Sequence, residues 1–179
     1  MKIRGVSLLQ YKYSITSNKI KVFLSSSMKD ERFRDQRNGI ISFLERMPLY
    51  DLFAIENLSS NQSIRARYIE EVKNADIIIL ILQSDLREGV IHEFYAATRS
   101  KRRIFAFIHT GRKTKELREF IDREVNTYVT STQFKDNRDL IDKIEATLLE
   151  DLVVKYVRLY EENINLYNQL DRLSKPKGY

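Results

Sequence analysis

Two stretches of this sequence hold residues whose types and spacing can do chemistry at one place. Ser25-Ser26-Ser27 follows the apolar run Val22-Phe23-Leu24 and leads into Lys29, Asp30, Glu31 and Arg32. Hydroxyls and backbone amides at a strand-to-helix turn can hold a phosphate, and Lys29 or Arg32 can add charge. The second stretch, Ala75 to Leu82, is almost wholly apolar and is followed by Gln83, Ser84, Asp85 and Arg87, then by Gly89-Val90-Ile91-His92-Glu93. In a parallel α/β sheet the loops after both runs open onto one edge, where ligands bind. Glu93 is therefore the candidate catalytic carboxylate, and Ser25, Ser26, Ser27, Lys29, Arg32, Ser84 and Asp85 are the candidate ligand-binding residues. Each has a plainer alternative. Ser27 can cap a helix whose first turn carries Asp30 and Glu31, and a glutamate in a first helical turn is favoured by the helix dipole alone. Asp85 and Arg87 can contact a ribose or simply solvate their loop.

Composition removes several chemistries. The chain has no cysteine, so disulfide, thiolate and cysteine-metal chemistry are out, which suits a reducing compartment. The two histidines, His92 and His109, are not in a metal-ligand spacing, and no metal site is expected. No Gly-x-Gly-x-x-Gly fingerprint or Walker loop is present, which disfavours a dehydrogenase or an ATPase. No apolar run approaches the roughly 20 residues that span a bilayer, and the first residues lack a signal-peptide core. The expectation is a soluble, cytoplasmic protein without membrane association. The formal charge of +6 favours anionic partners. Much of the positive charge lies between Arg99 and Arg118. A solvated helix end and loop accounts for it. A nucleic-acid surface is the alternative, without the interleaved aromatics of a stacking platform.

The elements that must position these residues follow from hydrophobic period. Residues 1–19 show no clear period and form an N-terminal extension. Ile20–Ser25 reads as a strand, followed by a helical stretch carrying Phe33, Arg37, Ile40, Ile41 and Leu44 and ended by Met47-Pro48. Asp51–Glu56 reads as a second strand. Asn61 or Ser63 can cap the next helix, which places Ile64, Tyr68, Ile69 and Val72 on one face. Asp76–Leu82 is a run expected of a strand buried on both sides. A helix over Gly89–Ser100, a strand over Arg103–His109, a helix near Glu116–Arg123 and a fifth strand over Thr127–Thr130 complete the alternation. This predicts an α/β fold, a flavodoxin-like open parallel five-stranded sheet of order 2-1-3-4-5 with helices on both faces. The α/β domain is expected over residues 20–134.

Residues 135–179 read as a C-terminal helical segment. Leu149, with Leu148 beside it, then Leu152, Tyr156, Leu159, Leu166, Leu170 and Leu173 follow steps of three and four, interrupted by Asn163 at an interior heptad position. An asparagine at such a position sets register in parallel dimers. A dimerisation helix and a helix packed back through Ile141, Ile144 and Leu148 are both open.

The ordered set Val22-Phe23-Leu24-Ser25-Ser26-Ser27-Met28-Lys29-Asp30, Tyr68-Ile69-Glu70-Glu71-Val72, Asp76-Ile77-Ile78-Ile79-Leu80 and Glu93-Phe94-Tyr95-Ala96-Ala97 resembles the TIR-like domains catalogued as domain of unknown function 4062. The resemblance runs from about Ile20 to Leu149. Two related families give it chemical content. In TIR domains that cleave NAD, a catalytic glutamate lies on the helix after the third strand, with a serine at that strand's end, as Glu93 and Ser84 do here. The tryptophan-cysteine pair preceding that glutamate is absent. Gly89, Glu93 and Ala97 match the Gly-Thr-x-x-Glu-x-Gly-x-Ala pattern of nucleoside deoxyribosyltransferases, while Val90 and Tyr95 depart from it. What the resemblance implies is a carboxylate beside an anomeric carbon, stabilising an oxocarbenium-like transition state or attacking it. NAD or another nucleotide would be the substrate, with no cofactor. Partners would be a nucleotide ligand and a second copy of the chain, through the C-terminal helix or TIR-like surfaces. A non-catalytic signalling or assembly module and a nucleic-acid-associated module are the alternatives.

Overall fold

The computed structural model describes residues 19–26, 34–53 and 64–174. Five strands form one sheet: β1 Ile20–Ser26, β2 Tyr50–Phe53, β3 Ile77–Leu82, β4 Arg103–His109 and β5 Ser131–Phe134. All neighbours are parallel, in the order β2-β1-β3-β4-β5. This is the expected order, with the switch point between β1 and β3. The helices are α1 Arg34–Glu45, α2 Ile64–Asn74, α3 Glu88–Arg99, α4 Lys115–Phe120, a π-helical turn Ile121–Val125, α5 Asn126–Tyr128 and α6 Asn137–Ser174.

Both faces of the sheet are covered, and the strand alternation shows how. All six residues of β3 are buried, so neither parity faces water. Ile78, Leu80 and Leu82 join Phe23, Ile104, Ala106 and Ile108 in a core that includes Val72 of α2, Val90, Phe94 and Ala97 of α3, and Leu117 and Phe120 of α4. The opposite parity, including Val22, Leu24, Ile79 and Phe107, is equally buried. Ile40 and Leu44 of α1 are 1 % exposed, and Ile141 packs near Gly39 of the same helix.

The fifth strand is displaced from its expected place. Residues 127 and 128 finish a helix, and the strand begins at Ser131. Val125 is fully buried, Val129 N–H donates to the Val125 carbonyl, and Thr127 Oγ1 donates to the Arg123 carbonyl. Core packing of the preceding turn thus overrides the β-propensity of Thr127-Tyr128-Val129-Thr130. The polar Ser131-Thr132-Gln133 is tolerated because β5 is an edge strand, anchored by the fully buried Phe134. The second strand is Tyr50–Phe53, and residues 54–56 of its expected span lie outside the described residues, as do Asn61 and Ser63.

The chain divides into two compact units, residues 1–141 and 142–179. The second holds the remainder of α6, with the side chains of residues 153–173 exposed. None of the described helices is long and apolar enough to cross a membrane.

Candidate functional site

Every buried polar or charged residue among those described belongs to one constellation: Ser25, Ser26, Gln36, Arg37, Gln83 and Glu93. They form three pairs. Ser25 Oγ donates to Glu93 Oε2 at 2.5 Å. Arg37 Nη1 donates to Ser26 Oγ. Gln83 Nε2 donates to Gln36 Oε1 at 2.7 Å.

The pairing follows from alternation along a strand. Consecutive residues point to opposite faces. Ser25 shares the parity of Phe23, whose face carries α3, and meets Glu93 there. Ser26 shares the parity of Val22 and Leu24, and meets Arg37 of α1. Gln83, one step past β3, continues the parity of Ile79 and Ile81 and reaches Gln36, also on α1. Two adjacent serines at the end of β1 therefore each take a partner from a different helical layer, at the edge where the strand order reverses.

Helical spacing supplies those partners. Val90, Glu93, Phe94 and Ala97 recur at i, i+3, i+4 and i+7, so Glu93 occupies a place in the apolar stripe of α3. It lies in the second turn of the helix, and the first-turn dipole alternative does not describe it. Arg37, Ile40, Ile41 and Leu44 repeat the same spacing on α1. Burial pushes the Glu93 carboxyl up to about 7, while the Ser25 hydrogen bond and the Arg37 charge pull it down. A carboxylic acid poised near neutrality is suited to acid–base or charge-stabilising work.

The remaining expected site residues divide. Ser25 and Ser26 are at the site, with their hydroxyls engaged by Glu93 and Arg37. Ser27, Lys29 and Arg32 lie outside the described residues. Ser84 follows Gln83 directly, is half-buried, and its carbonyl accepts from Thr114 N–H at 2.9 Å. Asp85 makes a solvent-accessible ion pair with Arg87 at 2.9 Å. His92 points elsewhere, 3.8 Å from Glu88 on its own helix. A Cβ at Gly89 would meet nothing within 4 Å, so that glycine meets no steric need here. No group of three or more His, Asp or Glu among the described residues is placed to hold a metal ion.

No family model and no curated protein matches the chain. Solved structures do. The Clostridium botulinum CMP N-glycosidase BcmB superposes with a TM-score of 0.54 at 18 % identity, over 70 % of this chain and 98 % of that one. The two chains share a fold. The Helicobacter pylori DNA processing protein A, known for a single-stranded DNA binding mode, matches with a TM-score of 0.48 at 12 % identity, over 77 % of this chain and 84 % of that one.

Gln36, Arg37 and Gln83 are site residues that reading for motifs passes over. A signal for Arg37 was present, since a charged residue in an apolar stripe is buried if the helix is placed correctly. For Gln83 the signal is its position directly after a doubly buried strand. Its Oε1 is buried and has no hydrogen-bond partner among the described residues, an acceptor whose desolvation costs about 1–3 kcal/mol if unmet.

Proposed function

We propose that this chain is a TIR-like domain that cleaves the N-glycosidic bond of a nucleotide, with Glu93 as the carboxylate at the anomeric carbon. The observation that carries the reading is the buried Ser25–Glu93 hydrogen bond at the switch-point edge. A hydroxyl donor holds the carboxylate oxygen in a fixed place, and low exposure strengthens its field on a developing positive charge. The fold shared with a CMP N-glycosidase supports the same reaction class.

In the proposed reaction the C1′–N bond breaks and its electron pair leaves with the base. Glu93 stabilises the oxocarbenium-like carbon or closes on it as a glycosyl ester. Water then adds to C1′; where an ester has formed, this breaks the C1′–O bond and returns its electron pair to the Glu93 carboxylate. The water proton passes to the carboxylate or to solvent. A neutral base such as cytosine must gain a proton as it leaves, whereas the nicotinamide of NAD is cationic while attached and needs none. Among the described residues Glu93 is the only buried carboxyl group. The nicotinamide case can be served by Glu93 alone, and NAD is the substrate we propose to test first. Arg37 balances the charge of the ionised carboxylate from the other face of the sheet, and Ser25 positions it.

The experiment is base release from NAD and from CMP, measured chromatographically for the wild-type chain and for Glu93→Gln. The expected result is release by the wild type and a loss of about a hundredfold or more in the variant, with the circular dichroism spectrum unchanged. No release from either nucleotide, or equal release by both proteins, overturns the reading and leaves Ser25–Glu93 as a structural pair in an assembly module.

A further inference from the structure

Independently of the catalytic reading, we propose that residues Leu149 to Leu173 of α6 pair with the same segment of a second copy of this chain as a parallel, two-stranded coiled coil. Taking Leu149 as heptad position a, the a positions are Leu149, Tyr156, Asn163 and Leu170, and the d positions are Leu152, Leu159, Leu166 and Leu173. Leucine at d is the choice of parallel dimers, and a single asparagine at a specifies register and oligomer state. From Tyr156 onward the seam is bare in one chain. Tyr156, Leu159, Leu166, Leu170 and Leu173 each expose more than half of their surface, and an apolar face of that extent marks a contact surface.

The composition of the segment selects the occupant. A helix lying on an anionic lipid surface carries an excess of Lys and Arg on its polar face, whereas here five carboxylates stand against three cations between Leu149 and Leu173. Within the helix, Arg158 meets Glu162 at 2.9 Å and Lys155 faces Asp151 at 3.9 Å, so two of the three cations are paired along one copy. Seven apolar a and d side chains from each copy would bury on the order of 1,000 Å² of apolar surface, which meets the size of a specific interface.

Asn163 selects the direction. In a parallel, in-register pair it faces the Asn163 of the second copy, and the two amides bond to each other. In an antiparallel pair a positions face d positions, and Asn163 would be set against leucine with its amide unmet. The parallel register also avoids like charges across the seam. Lys155 and Glu162 at g positions fall beside Tyr160 and Tyr167 at e positions of the second copy, so their aliphatic stems cover the rings.

The test uses the full chain. Sedimentation velocity at tens of micromolar is expected to give twice the 21.3 kDa of one chain, and the double variant Leu159→Lys/Leu166→Lys is expected to give one, with the strand signal of the circular dichroism spectrum retained. Because the chain has no cysteine, Leu170→Cys adds a single thiol that is expected to form an intermolecular disulfide on mild oxidation. In an antiparallel pair it would face the other end of the seam. A monomeric wild type, a trimer or tetramer, or a dimer that survives the double variant overturns the proposal. A dimer of the Leu170→Cys variant that does not cross-link overturns the parallel register.

Discussion

Ser25 and Glu93 lie 68 residues apart in sequence and 2.5 Å apart across the edge of the sheet, the hydroxyl donating to a carboxyl buried between β1 and α3. This hydrogen bond opposes the effect of burial on the carboxyl. Removing it with Ser25→Ala leaves desolvation without its main counterweight. A hydrogen bond to a charged acceptor is worth about 1.5–3 kcal/mol, which is on the order of one to two pH units. The rising limb of the pH–rate profile is therefore expected to move in the alkaline direction by about one unit, with activity largely recovered above the new limb. A loss of rate equal at all pH values would instead mean that Ser25 touches the substrate itself.

The same carboxyl makes stability depend on pH. Its value in the folded chain, about 7, lies above the ordinary 4.5, so between these values the native state binds more protons than the unfolded chain. The stabilisation is fully present below about pH 4.5 and is lost as pH rises through about 7. Glu93→Gln has no proton to lose. In urea unfolding the wild type is expected to weaken relative to the variant across that window, by up to roughly 3 kcal/mol, and to run parallel to it above pH 8. Parallel curves throughout would show that the carboxyl ionises as freely in the fold as in the unfolded chain.

The sheet order was legible because β3 announces itself: six consecutive apolar residues with helical patterns before and after allow few topologies. Glu93 was legible for the same reason, being placed after that strand. Arg37 was half legible, counted in the stripe with Ile40 and Leu44 though not read as a site residue, because its partner Ser26 comes from a strand and no motif joins them. Gln36 and Gln83 were not, since their pairing exists only once α1 is laid on the sheet. The fifth strand was misplaced because β-branched residues at 127–130 are local signals, and burial of Val125, a tertiary one, decides that segment.

Lys101 is the only non-glycine residue with positive φ among those described, at 54°. It follows α3, where Arg102 N–H donates to the Ala97 carbonyl at 2.9 Å and Lys101 N–H to the Thr98 carbonyl at 3.0 Å, a C-terminal turn that glycine adopts without strain. A side chain in this left-handed geometry costs about 1 kcal/mol. Lys101→Gly is expected to stabilise the chain by roughly that amount in urea unfolding, despite the greater freedom glycine gives the unfolded chain. A neutral or destabilising result would show that the lysine side chain holds a contact worth more than the strain.

Gly111 and His109 make a tighter demand. Gly111 N–H donates to His109 Nδ1 at 3.1 Å, and His109 Nε2 lies 3.2 Å from the Lys135 carbonyl, so the ring is held at both nitrogens. It also packs on Phe134, with centroids 5.2 Å apart. A Cβ at position 111 would stand 2.7 Å from the ring, and the ring has little room to retreat. Gly111→Ala is expected to cost about 1–3 kcal/mol. The disturbance would reach the candidate site, because Thr114 in the same loop bonds to the Ser84 carbonyl. His109→Ala removes the obstacle, so the double variant should be less damaged than the two single costs predict, by about 1 kcal/mol. Unfolding of the four proteins by urea measures this coupling. Simple additivity would mean that the alanine at 111 acts through the backbone and not through the ring.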